Sequence, residues 1–208
     1  MAARTRNPSR TTLALLEAAR AEFVAKGFAE AKTEAIVARA GLTRGALYHH
    51  FADKTALFAC VVESMMTEMD LAVSIAASKE TSPFGALRSG IRGYLRECAR
   101  DDVRRVLLID GPAVLGWEQW RAIDERSAFA ATRDSVRRCM HAGEIATTDA
   151  NSLARTLLGM VTQAGLEIGR SENPKQTHRS LSNSIDFVLD ALKTDGLATR
   201  PLAKETKG

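Results

Sequence analysis

An all-α fold is predicted, and three features of the sequence predict it. Apolar residues recur at helical spacing through most of the 208 residues, Gly and Pro punctuate the ends of those stretches, and no segment alternates apolar with polar residues as a strand does. The composition, 45% hydrophobic and 26% charged, suits a chain that buries a core, and no internal repeat interrupts it. Aromatics are sparse at 5%, which argues against a sugar-binding or antibody-like surface.

Leu13, Leu16, Phe23 and Gly27 lie on one stripe of a first helix, expected to end at Lys26-Gly27 with Gly in a left-handed cap. Residues 33–40 predict a short helix stopped by Gly41, and 44–50 predict a second one. Asp53 is placed to N-cap a long helix reaching Ser78, before the break Glu80-Thr81-Ser82-Pro83. Phe84, Leu87, Ile91, Leu95 and Cys98 define the next amphipathic helix. The short apolar stretch 103–109 should be interrupted by Asp110-Gly111-Pro112. Helices are then expected over 117–141, 150–170 and 175–193, before a polar tail from Thr194.

No segment approaches the ~18 consecutive apolar residues of a membrane span. The basic start Met1-Ala2-Ala3-Arg4-Thr5-Arg6 leads into a stretch carrying Glu17, Arg20 and Glu22, not the apolar core of a signal peptide, so a cytoplasmic protein is expected. Cys60, Cys98 and Cys139 are odd in number, widely spaced and free of any CxxC pair, and read as reduced thiols. His141 and His178 lack carboxylate or thiol partners at ligand spacing, so neither a metal nor another cofactor is expected. No Ser-His-Asp arrangement, nucleotide loop or carboxylate pair argues for an enzyme.

Charge is unevenly spread. The net charge is +4, residues 1–54 hold nine basic and five acidic side chains, and the remainder is neutral. The whole positive excess therefore sits at one end, as expected if that end meets a polyanion; a chance imbalance is the plainer alternative.

Residues 33–54 carry the informative pattern. Two short helices joined by a three-residue turn that starts with Gly are the ingredients of a helix-turn-helix, with Val37 and Leu47 where the helices must pack. Projection at 100° per residue with Leu47 inward places Phe51 beside it, and Gly45, Tyr48 and His49 outward, with Arg44 on the flank. Gly45 allows close backbone approach, Tyr48 and His49 can donate to phosphates or base edges, and Arg44 can pair with guanine. Lys54 beside a helix N-terminus suits a phosphate clamp, and Thr33 could act in the same way from the preceding helix. Alternatively, Gly41-Leu42-Thr43 is only a helix break and Tyr48 and His49 are ordinary surface residues.

The run from Gly41 through Tyr48-His49-His50-Phe51-Ala52-Asp53-Lys54 to Phe58, with Phe23 and Gly27-Phe28 upstream, resembles the signature of the TetR family of regulators over residues 10–60. The resemblance implies a DNA-binding domain over 10–55 and a helical effector-binding and dimerisation domain over 56–195, with a basic arm at 1–9 and a polar tail at 196–208. It implies DNA contacts at Thr33, Thr43, Arg44, Gly45, Tyr48, His49, His50 and Lys54, although His50 projects nearer the core than His49. Arg4, Arg6 and Arg10 form either a DNA-reaching arm or a solvated tail.

Beyond this motif, Leu153, Leu157, Met160, Ala164 and Ile168 share one helical face, and Leu181, Ile185, Val188 and Leu192 share another. The stripes fit either intrachain core or a two-fold interface, and the family resemblance implies a homodimer through them and hence a palindromic operator. A small-molecule effector pocket is implied among the intervening helices, with Met65, Met66, Tyr94, Asp110, Trp117, Trp120 and Phe129 as candidates; ordinary core packing, or capping for Asp110, explains each as well. The expectation is a repressor released by an effector. A ligand-independent architectural dimer and a cysteine-based redox regulator using Cys98 and Cys139 are the alternatives.

Overall fold

A computed structural model describes residues 9–194, so Arg4 and Arg6 of the basic arm and the tail 196–208 lie outside the described residues. Among the described residues ten α-helices follow one another: α1 (Arg10–Glu30), α2 (Thr33–Ala40), α3 (Arg44–His50), α4 (Lys54–Ala77), α5 (Pro83–Cys98), α6 (Asp101–Val103), α7 (Gly111–Leu115), α8 (Trp117–His141), α9 (Ala150–Arg170) and α10 (Pro174–Asp190). A π-helical segment, Arg104–Asp110, joins α6 to α7. Among the described residues there is no strand, only an isolated bridge between Ile145 and Lys193. The all-α expectation holds.

The chain forms two compact units. One runs up to Glu68 and includes Asp101–Ile123; the other takes Met69–Arg100 and the chain from Asp124 onward. This grouping differs from the linear boundary at 55/56 expected from the sequence, because 101–123 packs with the N-terminal helices.

In the first unit, α1 buries Leu15, Ala19 and Phe23, spaced four apart, while Leu13 of the expected stripe faces solvent. Gly27 has positive φ as expected, but with ψ 167 it kinks the helix without capping it. The kink returns Phe28 to an aromatic cluster in which Phe23 and Phe58 meet edge to face at 5.0 Å and Phe28 and Phe58 at 5.1 Å. The Lys54 ammonium bonds the carbonyls of Phe28 at 2.8 Å, Ala31 at 3.0 Å and Ala29 at 3.4 Å, and lies 4.4 Å from the Phe28 ring centroid. Asp110 accepts the Phe28 N–H at 2.8 Å, and Arg20 reaches both Glu68 at 2.7 Å and Asp102 at 3.1 Å.

Asp110-Gly111-Pro112 does not interrupt helicity. The Gly111 N–H still bonds the Val106 carbonyl in the wide π register. Pro112 has no N–H to offer Leu107 in that register, and the Trp120 indole supplies the missing donor, Nε1 to the Leu107 oxygen at 2.7 Å. Gly111 is required here by space, since a Cβ would stand 2.8 Å from the Trp120 ring and 3.2 Å from the Val106 oxygen.

The second unit packs α5 against α9 and α10. Leu87, Leu95 and Cys98 of α5, Ala154, Leu157 and Ile168 of α9, and Ile185 and Leu189 of α10 are buried. Ser82 caps α5 through the Gly85 N–H at 3.0 Å, with Pro83 at its start. Glu144 accepts the Phe84 N–H at 2.6 Å, and Arg92 pairs with Asp186 at 2.7 Å while Arg88 pairs with Asp190. α10 ends at Asp190, three residues before the expected limit, and a turn carries the chain on to Lys193.

Two substitutions test the π segment. Gly111→Ala should cost about 1–3 kcal/mol by overpacking against Trp120, and Trp120→Phe about 1–3 kcal/mol by leaving the Leu107 carbonyl unpaired in addition to any packing loss. Equilibrium urea unfolding checks both.

Candidate nucleic-acid interface

The turn between α2 and α3 is built by backbone and capping bonds. Gly41 takes φ 66, ψ 29, the left-handed conformation that glycine adopts without strain. The Leu42 N–H then reaches the Val37 carbonyl at 2.9 Å and the Gly41 N–H reaches Ala38 at 3.2 Å. Thr43 caps α3, its hydroxyl oxygen accepting the Ala46 N–H at 3.2 Å. That leaves the hydroxyl proton available to an acceptor outside the protein. Ile36, Val37, Leu47 and Phe51 are buried and fix the rotation of α3.

With Leu47 fully buried, the opposite face of α3 is open. Tyr48 is 41% exposed, and Arg44, Gly45, His49 and His50 are exposed as well. His50, projected nearer the core, stands outside it, edge to face with His49 at 5.3 Å. A Cβ on Gly45 would meet no atom closer than 3.9 Å, so no packing contact within the chain requires glycine here. The Arg44 guanidinium lies 5.5 Å from the Tyr48 ring centroid and pairs with Glu34 at 3.1 Å. The Glu34 carboxyl is held below its usual range, chiefly by its own backbone N–H, with Arg44 and Thr33 assisting.

Two of the expected phosphate contacts are engaged within the chain. Thr33 is 9% exposed, and its hydroxyl donates to Glu34 at 3.3 Å. Lys54, expected as a phosphate clamp, directs its donors to the carbonyls of Phe28, Ala29 and Ala31 at the end of α1 and ties that end to α4. Its partners lie more than twenty residues upstream, beyond any local pattern. Sequence reasoning passed over Lys32, an exposed cation directly before α2, because a single lysine in a connector carries no periodic signal.

The effector candidates fall in both units. In the first, Met65, Met66 and Trp120 are buried, Trp117 is exposed and stacks on Trp120 at 5.4 Å, and Asp110 is engaged by Phe28. In the second, Phe129 lies under the Arg155 guanidinium at 4.4 Å, and Tyr94 is sealed against α9 with its hydroxyl lacking a hydrogen-bond partner. Thr162 donates to Asp124 at 3.2 Å, and burial raises the Asp124 carboxyl to about 6, Thr162 opposing and Asp70 and Glu125 adding to the rise.

Of the expected interface stripe, Leu157, Ala164, Ile168 and Ile185 are buried within the single chain, Leu153, Met160, Leu181 and Leu192 are half-buried, and Val188 is exposed. Phe187, off that stripe and unremarked in the sequence, is 78% exposed. An open groove of about 270 Å³ is lined by Met160, Ala164, Leu181, Ile185 and Val188 among others.

Burial pushes up the thiols of Cys60, Cys98 and Cys139, the last to about 11. Such thiols form little thiolate, which weakens the redox alternative. Among the described residues no group of three His, Cys, Asp or Glu could hold a metal, and no helix is long and apolar enough to cross a membrane.

A capped helix pair that buries one apolar face and presents glycine, phenol, imidazole and guanidinium on the other defines a helix-turn-helix DNA-binding protein. Comparison with known proteins places it more narrowly. The family model "Bacterial regulatory proteins, tetR family" matches residues 15–61, and "Tetracyclin repressor-like, C-terminal domain" matches 84–192. The chain belongs to the TetR family of transcriptional regulators, which are DNA-binding proteins and not enzymes. It is 27% identical over 193 residues to the HTH-type transcriptional repressor Rv1474c of Mycobacterium tuberculosis, covering 86% of this chain and 91% of that protein. A TetR-family regulator from Pectobacterium atrosepticum superposes with a TM-score of 0.81 at 28% identity, over 90% of this chain and 98% of that one. The FadR regulator of Bacillus subtilis, solved with stearoyl-CoA, shares the fold at 16% identity and a TM-score of 0.68, over 88% and 98% of the two chains.

Two outcomes follow. Lys54→Ala should lower unfolding free energy by about 1–3 kcal/mol, because buried carbonyls lose their donor. Burial raises the Asp124 carboxyl from the usual 3.8 to about 6, so the folded state binds its proton more tightly and stability falls as pH rises through that window. The stability of Asp124→Asn relative to the parent should therefore improve by about 2–3 kcal/mol between about pH 4 and pH 7, read from urea unfolding at each pH.

Proposed function

We propose that the chain is a homodimeric repressor that places α3 of each protomer in successive major grooves of a palindromic operator and is released by a small-molecule effector. The observation that carries the DNA reading is the rotation of α3: Leu47 fully buried, with Arg44, Gly45, Tyr48 and His49 turned to solvent. In this reading Arg44 exchanges Glu34 for a guanine edge, Thr43 and Tyr48 donate to phosphates, and His49 and His50 read base edges or phosphate. Lys32 joins them as a phosphate contact, because its charge stands beside the first amides of α2. Lys54 and Thr33 are assigned structural roles.

The dimer reading is supported by the apolar groove on α9 and α10, and by Phe187 and Val188, whose exposure a single chain leaves without purpose. A two-fold interface through these helices sets half-sites about one helical turn, 34–36 Å, apart. Effector release is a population shift: the ligand favours a conformer whose α3 helices no longer match that spacing. α4 is the natural carrier, since Lys54–Ala77 runs through the boundary at Glu68 and Met69.

Selection of bound duplexes from random DNA should return a palindrome. Arg44→Ala should then cost about 1–3 kcal/mol and relax preference at one base position, while Lys32→Ala should weaken all sequences and lower the salt slope by about one. Unchanged affinity in the Arg44→Ala, Tyr48→Phe, His49→Ala triple variant would remove this placement of α3. Phe187→Asp with Val188→Asp should give monomers in sedimentation.

A further inference from the structure

Helices α5, α8 and α9 bring four hydrogen-bonding side chains together inside the second unit. Tyr94 and Cys98, one turn apart on α5, are sealed against α9 at Gly165, where a Cβ would stand 2.9 Å from the Cys98 sulfur and 3.1 Å from the Tyr94 oxygen. The glycine thus seats a phenol and a thiol directly on the α9 backbone. Thr162, three residues earlier on α9, donates to Asp124 of α8 at 3.2 Å. Asp124 acts on Tyr94 through its charge, and Thr162 and Cys98 lie within polar reach of the phenol, so the group is contiguous.

The cluster is incomplete in two ways. The buried Tyr94 hydroxyl makes no hydrogen bond of good geometry, only loose polar contacts with Cys98 and Thr162, so it keeps capacity for a better partner. Asp124 is a half-buried carboxylate that accepts a hydrogen bond from the neutral Thr162 hydroxyl. Asp70 of α4 and Glu125 of α8 both add negative charge near it. Tyr94 and Cys98, facing it from α5, are held neutral by burial, and Thr162 from α9 carries no charge. A cation with several N–H donors would satisfy both needs, bonding the carboxylate and the phenol oxygen together. A metal ion would need more ligands than the described residues assemble. Asp124 is the half-buried member of the group and Tyr94 the sealed one, so a cation would approach from the carboxylate side.

We propose that Tyr94, Asp124 and Thr162 form a recognition site for the ammonium group of a small organic amine, and that this amine is the effector. The second half rests on the proposed function; the site itself does not. Binding requires ionised Asp124, so affinity for the amine should rise about tenfold between pH 5 and pH 7.

Calorimetry on the full chain tests the site, using hexylammonium, benzylammonium and phenethylammonium against the alcohols of the same carbon skeletons. At about pH 7.5 at least one amine should bind roughly tenfold or more tightly than its alcohol, as a desolvated charge pair requires. Asp124→Asn should abolish that preference and its pH dependence, and Tyr94→Phe should weaken the amine several-fold, with circular dichroism confirming that each variant folds. Equal binding of amine and alcohol, no binding of any amine, or an undiminished preference in Asp124→Asn overturns the site. Titrating the bound amine into a complex with the selected duplex tests the second half. Release supports it, and an unchanged DNA affinity overturns the effector role while leaving the site. A chain that binds no duplex without amine counts against the proposed function alone.

Discussion

The tie from Lys54 to the end of α1 is the interaction on which the DNA-binding unit depends. A lysine at the first residue of α4 faces the positive end of that helix dipole, an unfavourable place for a cation. The position becomes favourable because the kink at Gly27 brings the last carbonyls of α1 to it, and these carry the negative end of the neighbouring dipole. One ammonium thus satisfies acceptors that α1 leaves open, and its stem and charge cover the Phe28 ring. Phe28 in turn closes the aromatic cluster with Phe23 and Phe58, one from each helix the lysine joins. α2 and α3 are then held over a floor whose two halves cannot separate without exposing a buried aromatic ring.

The same peptide explains why 101–123 groups with the N-terminal helices. Phe28 has its carbonyl on Lys54 and its N–H on Asp110, the last residue of the π-helical segment. A π turn places one more residue between bonded groups than an α turn, so it rotates Asp110 relative to the residues before it. Gly111 and Trp120 make that register the satisfied one: the glycine admits the indole, and the indole takes the carbonyl that Pro112 cannot. The direction in which Asp110 points is therefore fixed by a packing contact ten residues further along the chain.

The sequence disclosed those features whose phase could be fixed locally. Leu47 gave α3 an inward reference, and a seven-residue helix leaves little room for error, so the outward set Arg44, Gly45, Tyr48 and His49 was legible. Gly41 and Thr43 were legible because a left-handed cap and a hydroxyl cap are local chemistry. Lys54, Thr33 and Asp110 were not, because each is decided by a partner distant in sequence or by burial. Gly111-Pro112 looked like a break because the compensating donor is Trp120. The stripes on α9 and α10 showed that these helices pack, yet periodicity does not say against what: Leu157, Ala164, Ile168 and Ile185 are already covered within one chain, and Phe187 stands exposed outside the pattern.

The electrostatics of α3 favour exchange over permanence. The Arg44–Glu34 pair joins two side chains that are each more than 60% exposed, and such a pair contributes at most about 1 kcal/mol. A bidentate contact to guanine discriminates by about 1–3 kcal/mol, and neutralising a phosphate adds counterion release. On the proposed reading, Arg44 is held near its place of use, over the Tyr48 ring, by an interaction too weak to keep it there once a duplex arrives. Lys54 is the opposite case: three carbonyls and a ring surround its ammonium, and giving them up for a phosphate would unpair two part-buried acceptors at about 1–3 kcal/mol in all. Two cations ten residues apart therefore do different work, and what separates them is the desolvation of their partners.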